Sequence, residues 1–226
     1  MISISGITKS FPDGKGQRAV LKDVHMDIEK GTLTALMGRS GCGKTTLLYI
    51  LAGLIKPDAG NYRFEGQALP LSDRRAMRQF RLKNIGFILQ EDTLLYDRNV
   101  ENNIMLGAHF LGQKRGDAHS EARFLAEQLN VASLLDAAPA VLSGGEKQRV
   151  AIARSLIGGK KLLLADEPTG ALDHDNAVNV LECFAHLREQ GKTILLVTHD
   201  EAVAAMCDRI IHLEYGRITG EEKGGA

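Results

Sequence analysis

Apolar residues in this chain gather in short, nearly unbroken runs separated by helical spacing and glycine-rich turns. Residues 33–37, 85–89, 162–165 and 194–197 are runs of four or five positions. Strands buried on both faces read this way, and their alternation with helices predicts a mainly parallel sheet covered on both sides. Near the amino terminus the pattern changes. Val24, Met26 and Ile28 alternate with His25, Asp27 and Glu29, the period of half-buried antiparallel strands. Residues 92–159 hold no strand-like run, and Ala122, Leu125, Ala126 and Leu129 keep helical spacing. The pattern thus predicts a single α/β domain over 1–226, with a core of 1–91 and 160–226 and an inserted helical subdomain over 92–159. The tail, 220–226, is glycine-rich and charged and is expected to be disordered.

Composition narrows the function classes. At 226 residues the chain can bury a sizeable core. Lys plus Arg equals Asp plus Glu, 28 each, so no nucleic-acid partner working through a broad basic surface is expected. Cys42, Cys183 and Cys207 form no paired framework and no metal-ligand spacing, which reads as reduced thiols in a cytoplasmic protein. No signal peptide is expected in the first ten residues. No apolar run approaches the roughly 18 residues of a spanning helix, so any membrane part is expected on another polypeptide.

Candidate chemistry begins at Gly38-Arg39-Ser40-Gly41-Cys42-Gly43-Lys44-Thr45, followed by Thr46. This is the phosphate-loop pattern, in the strand-to-helix context that it requires. Its glycines let backbone N–H groups turn toward phosphates at a helix amino terminus. Lys44 supplies a mobile positive charge, and the Thr45 hydroxyl is a candidate Mg²⁺ ligand. Cys42 sits at the same helix start beside Lys44, two features that favour a thiolate.

The run 162–165 ends in Asp166-Glu167. Adjacent strand residues point to opposite faces, so two carboxylates there can do different work. Twenty residues before Asp166 stands Leu142-Ser143-Gly144-Gly145-Glu146. Ser143 can cap a helix with Glu146 as the reciprocal partner of a capping box. A capped start with two glycines is also an anion site.

In this order and spacing, the three motifs resemble one family, the ATP-binding cassette (ABC) ATPases, over about residues 2–218. The resemblance implies a P-loop NTPase fold: a RecA-like core with amino-terminal antiparallel strands and a helical insertion. It implies an ATPase with Mg²⁺ held by Thr45, Gln90 and, through water, Asp166. Glu167 resembles the general base. Gln90 and His199 match the glutamine and histidine switches around the γ-phosphate, and Phe11 lies where the family stacks an aromatic on adenine. Ser143, Gly144, Gly145 and Glu146 match the signature that binds the γ-phosphate held by a second copy. Asp173 matches the loop touching that opposing subunit. A homodimer, or pairing with a related ATPase, therefore follows from the resemblance.

Ala165-Asp166-Glu167-Pro168-Thr169-Gly170, and Ile85-Gly86-Phe87 ahead of Gln90, look like the branch of macrolide-exporter, lipoprotein-release and cell-division ATPases. Ala171 departs from the asparagine usual there. Because the chain stops soon after Ile218, no regulatory domain of the kind found in many sugar importers is expected. The reading is an ATP-hydrolysing subunit of a membrane transporter or mechanotransmission complex, on the inner face of the membrane through a transmembrane permease. The alternative is a soluble ABC ATPase, as in iron–sulfur assembly. A partner groove is expected over residues 92–105, with Leu94, Leu95, Tyr96 and Met105 as contacts.

Overall fold

The computed structural model describes residues 1–14, 16–90 and 93–225. The chain opens with β1 (Ile2–Asp13), β2 (Gly16–Ile28) and β3 (Leu33–Met37), then α1 (Lys44–Leu51). After β4 (Ala59–Phe64) and β5 (Gln67–Ala68), α2 (Arg74–Asn84) leads into β6 (Ile85–Ile88). Four helices follow: α3 (Val100–Ile104), α4 (Leu106–Leu111), α5 (Arg115–Gln128) and α6 (Gly144–Leu156). The chain returns through β7 (Leu162–Asp166), α7 (His174–Glu189), β8 (Thr193–Thr198), α8 (Glu201–Ala205), β9 (Arg209–Glu214) and β10 (Arg217–Lys223).

The strands form two sheets. The smaller is antiparallel, in the order β2-β1-β4-β5. The larger runs β10-β9-β3-β8-β7-β6 and is parallel except for β10. All four apolar runs lie in the larger sheet, and β7 and β8 are buried along their whole length. Their side chains divide by the strand period of two. Leu163, Ala165, Ile194 and Leu196 face one apolar cluster shared with α3, α5, α6 and α7. Leu162, Leu164, Leu195 and Val197 face a second, filled by α1 and the small sheet. From α1, Leu47, Leu48, Ile50 and Leu51 are fully buried there, each worth about 1.5–3 kcal/mol.

Two sequence expectations change. Residues 217–223 form strand β10 rather than a disordered tail, because the polar tail pairs with β9, and Gly224 N–H and Gly225 N–H donate to the Asp208 and Ala205 carbonyls. Arg74 and Arg75, both exposed, open the amphipathic helix α2, capped by Asp73. The expected groove contacts also divide. Leu94 belongs to the core, whereas Tyr96 is 53% exposed; Asp92 lies outside the described residues. Buried Asn103 ties this turn down. Its amide oxygen accepts from Leu95 N–H at 2.7 Å, and its nitrogen donates to the carbonyls of Leu95, Arg98 and Asn99.

Strand β6 must run close to α6, which starts at the signature. A Cβ on Gly86 would stand 2.6 Å from the Ser155 carbonyl oxygen, so only glycine lets the two backbones meet. Gly86→Ala is expected to cost about 1–3 kcal/mol through overpacking. Urea denaturation should show a lower midpoint at unchanged slope.

Candidate functional site

Because β3, β7 and β8 are adjacent and parallel, their carboxyl ends lie side by side. Met37 pairs with Thr198, and Asp166 with Val197. The phosphate-pattern loop, Asp166-Glu167 and His199 therefore leave one edge of the sheet together, where open α/β sheets bind ligands. They line a cavity of about 580 Å³ with Gln90 and Phe11.

The loop's shape is set by close approach. A Cβ on Gly38 would lie 2.2 Å from the Leu213 carbonyl oxygen, and one on Gly43 2.8 Å from the Leu21 side chain. Gly43 also has φ 113°, in the region that favours glycine. It precedes α1, whose first turn has no side-chain cap, so its N–H groups remain available to an anion. Lys44 is buried and donates to the carbonyls of Gly38 (2.6 Å) and Arg39 (3.3 Å). The positive charge is thereby folded over its own loop.

Asp166 is buried at the end of β7. Burial raises its carboxyl above the ordinary value, against the opposing pull of the Thr45 hydroxyl and of Lys44; the neighbouring Glu167 charge raises it further. A threonine hydroxyl beside a buried carboxylate is a hard oxygen donor set, the kind Mg²⁺ takes alongside phosphate and water. Glu167 turns the chain with φ 47°, a conformation that costs a non-glycine residue about 1–3 kcal/mol. Its N–H donates to the Val197 carbonyl. Both of its carboxylate oxygens lie 2.9 Å from His199 Nδ1. Gln90 Nε2 approaches the turn at Gly170, within 3.7 Å of where a Cβ would stand.

Of the expected ATP-binding residues, Phe11, Ser40, Gly41, Gly43, Lys44, Thr45 and Thr46 line the cavity. Gly38, Arg39 and Cys42 do not. Cys42 packs partly against the core, and with Arg39 it lines a neighbouring cleft beside Tyr215. Sequence reading missed Arg18 and Val20, which line the cavity from β2. Arg18 is the cross-strand partner of Phe11, a relation that only the hairpin register reveals.

None of Ser143, Gly144, Gly145, Glu146 and Asp173 lines this cavity. They meet one another instead. Asp173 caps α7 and accepts from Asn176, which lowers its carboxyl. A Cβ on Gly145 would stand 2.2 Å from Asn176 Oδ1. The expected capping box is present: Ser143 Oγ accepts from Glu146 N–H, and the Glu146 carboxylate accepts from Ser143 N–H at 2.8 Å and from its hydroxyl. These bonds, first that from the backbone, hold Glu146 below its ordinary pKa. Its carboxylate thus faces its own helix start.

A depressed folded pKa makes the Glu146 contribution present above the unfolded pKa and lost as pH falls through the folded one. At neutral pH, Glu146→Ala should destabilise by about 0.3–1.5 kcal/mol. Urea titrations from pH 7 to acid should show that gap closing through the carboxylate range.

Comparison with known proteins places this geometry. The family model described as "ABC transporter" matches residues 21–170. The chain is 41% identical over 223 residues to a macrolide export ATP-binding/permease protein MacB of Campylobacter jejuni subsp. jejuni, and 39% over 218 residues to MacB of Salmonella typhi. These alignments cover 99% and 96% of this chain, which spans only about 34% of each relative. Among solved structures, the dimeric post-hydrolysis state of the ATP-binding cassette MJ0796, bound to ADP and Pi, matches with a TM-score of 0.89 at 32% identity. That match covers 99% of this chain and 98% of the other. The α/β fold is thus that of the ATP-binding cassettes, and the chain belongs to the ABC transporter family as an ATPase domain.

Proposed function

We propose that this chain binds and hydrolyses Mg-ATP between two cassettes and so drives a transmembrane permease. The observation that carries the reading is a divided site. The phosphate loop, Asp166, Glu167 and His199 line one cavity, while Ser143-Gly144-Gly145 stands apart from it on the same chain. A second copy, head to tail, supplies the missing anion site.

In this reading the uncapped start of α1 and Lys44 hold the β- and γ-phosphates, with Thr46 beside them and Phe11 under the adenine. Thr45, Gln90 and, through water, Asp166 would hold Mg²⁺, which would neutralise charge on the phosphate oxygens. Glu167 accepts a proton from water as its oxygen attacks the γ-phosphorus. The bond to the bridging oxygen breaks, leaving ADP and phosphate. His199, on both oxygens of Glu167, orients that base and contacts the γ-phosphate. Glu146 acts through Ser143, holding the signature hydroxyl in place, and Asp173 shapes the loop toward the opposing copy.

The relatives named as ATP-binding/permease proteins support a transporter over a soluble ATPase. Among the described residues no helix is long and apolar enough to cross a membrane. The permease therefore lies outside them, and the cassette is peripheral to the membrane's inner face. Residues 1–91 and 160–226 act as the nucleotide-binding core, and 92–159 as the helical subdomain that meets the permease. Co-purification from membranes with a polytopic protein tests this assignment; recovery of the cassette only in the soluble fraction contradicts it.

Glu167→Gln keeps the side chain's size and removes its charge. Turnover should fall about 10²–10⁴-fold, while ATP binding survives. Size-exclusion chromatography should then show a dimer only with Mg-ATP, abolished by adding Ser143→Arg. Normal turnover would remove Glu167 from the catalytic role.

A further inference from the structure

Phe11 enters the nucleotide cavity from a strand of irregular register. Pairing between β1 and β2 shifts between Ile4 and Ile7, between Ile7 and Lys9, and again between Lys9 and Ser10. Bulges of this kind bend a strand and re-aim the side chains beyond them. A slip of one residue would send a side chain to the other face of the sheet. Phe11 follows directly on the last shift, so its direction depends on what holds residues 8–10.

Asp58, at the entry to β4, holds all three. Its N–H donates to the Thr8 carbonyl at 2.8 Å. Oδ1 accepts from Lys9 Nζ at 2.7 Å, and Oδ2 accepts from Ser10 N–H at 2.6 Å. These two bonds, first that from Lys9, keep the Asp58 carboxyl below its ordinary pKa. The pair draws Lys9 inward. Its side chain is only 16% exposed, and Nζ stands over the Phe11 ring, 5.3 Å from its centre, within cation–π range. Lys9 does not line the cavity that Phe11 lines, so the ammonium covers the ring face turned away from the phosphate loop.

We propose that Asp58 and Lys9 are positioning residues for base recognition: Asp58 locks the bulge, and Lys9 backs the Phe11 ring so that its other face receives the base. The inference rests on the reading of Phe11 as the platform under the adenine, and adds what holds that platform. A cation behind an aromatic ring draws π density toward itself. The cavity-side face becomes less negative and stacks more favourably on an electron-rich purine. The device therefore acts on the base, whereas Lys44 and the start of α1 act on the phosphates.

Isothermal titration calorimetry on the purified cassette can separate the two by comparing ATP with tripolyphosphate, which has no base. Lys9→Met keeps the apolar stem and removes the charge. It should weaken ATP binding about two- to fivefold and leave tripolyphosphate binding unchanged. In steady-state phosphate release it should raise KM for ATP at constant kcat, and Lys9→Arg should restore the wild-type value. Asp58→Asn, which keeps an acceptor for Ser10 N–H, should weaken ATP in the same selective way. In a Phe11→Ala background, Lys9→Met should cost nothing further, because the cation acts only through the ring. Unchanged ATP affinity in Lys9→Met, equal losses for ATP and tripolyphosphate, or losses that multiply with Phe11→Ala would each overturn the inference and leave ATP binding intact. Normal ATP affinity in Phe11→Ala removes the platform, and this inference with it. A wild-type cassette that binds no ATP contradicts the ATPase reading itself.

Discussion

The parallel hydrogen-bonded register of β3, β8 and β7 is the constraint on which the site depends. It sets Met37 against Thr198 and Val197 against Asp166, so a phosphate-pattern loop, a carboxylate pair and a histidine leave the sheet at one level. The strands can hold that register because they are buried on both faces, with alternate side chains sent into two separate cores. A one-residue slip would exchange those cores. Precision at the polar edge thus derives from packing well below it, and close-packed interiors yield little to local strain.

What that edge lacks is as informative as what it holds. The cavity has a cationic loop, the buried Asp166, and Glu167, whereas the Ser143 turn is engaged elsewhere. Ser143 and Glu146 close their capping box, and Gly145 packs on Asn176 next to Asp173. Those contacts give the signature a fixed shape before any partner arrives, which lowers the ordering cost of assembly. Rigidity of the signature and incompleteness of the site belong together. In the proposed reading, binding energy for ATP depends on a second copy, and hydrolysis dissolves the assembly.

Much of this was legible in the sequence because it rests on local patterns. The apolar runs marked the central strands; Ser143 and Glu146, three apart, announced their capping box; and the loop from Gly38 to Thr45 carried its own strand-to-helix context. The misses were non-local. Arg18 enters the cavity only through its pairing with Phe11 across β1 and β2. The polar tail becomes β10 because β9 offers it an edge, which composition does not reveal. Leu94 looked like a groove contact by hydrophobicity alone, yet it is core. Glu146, matched to the signature by resemblance, turns its carboxylate to Ser143, as the spacing of its capping box predicted.

The central claim is that each ATP site is shared between two chains, and subunit mixing tests it most directly. Lys44→Ala disables the phosphate loop and Ser143→Arg disables the signature, so each variant alone should be inactive. In a mixed dimer, the intact loop of one chain faces the intact signature of the other. Steady-state phosphate release should therefore reappear on mixing the two inactive proteins, and rise with their concentration. A mixture as inactive as its components would contradict the shared site.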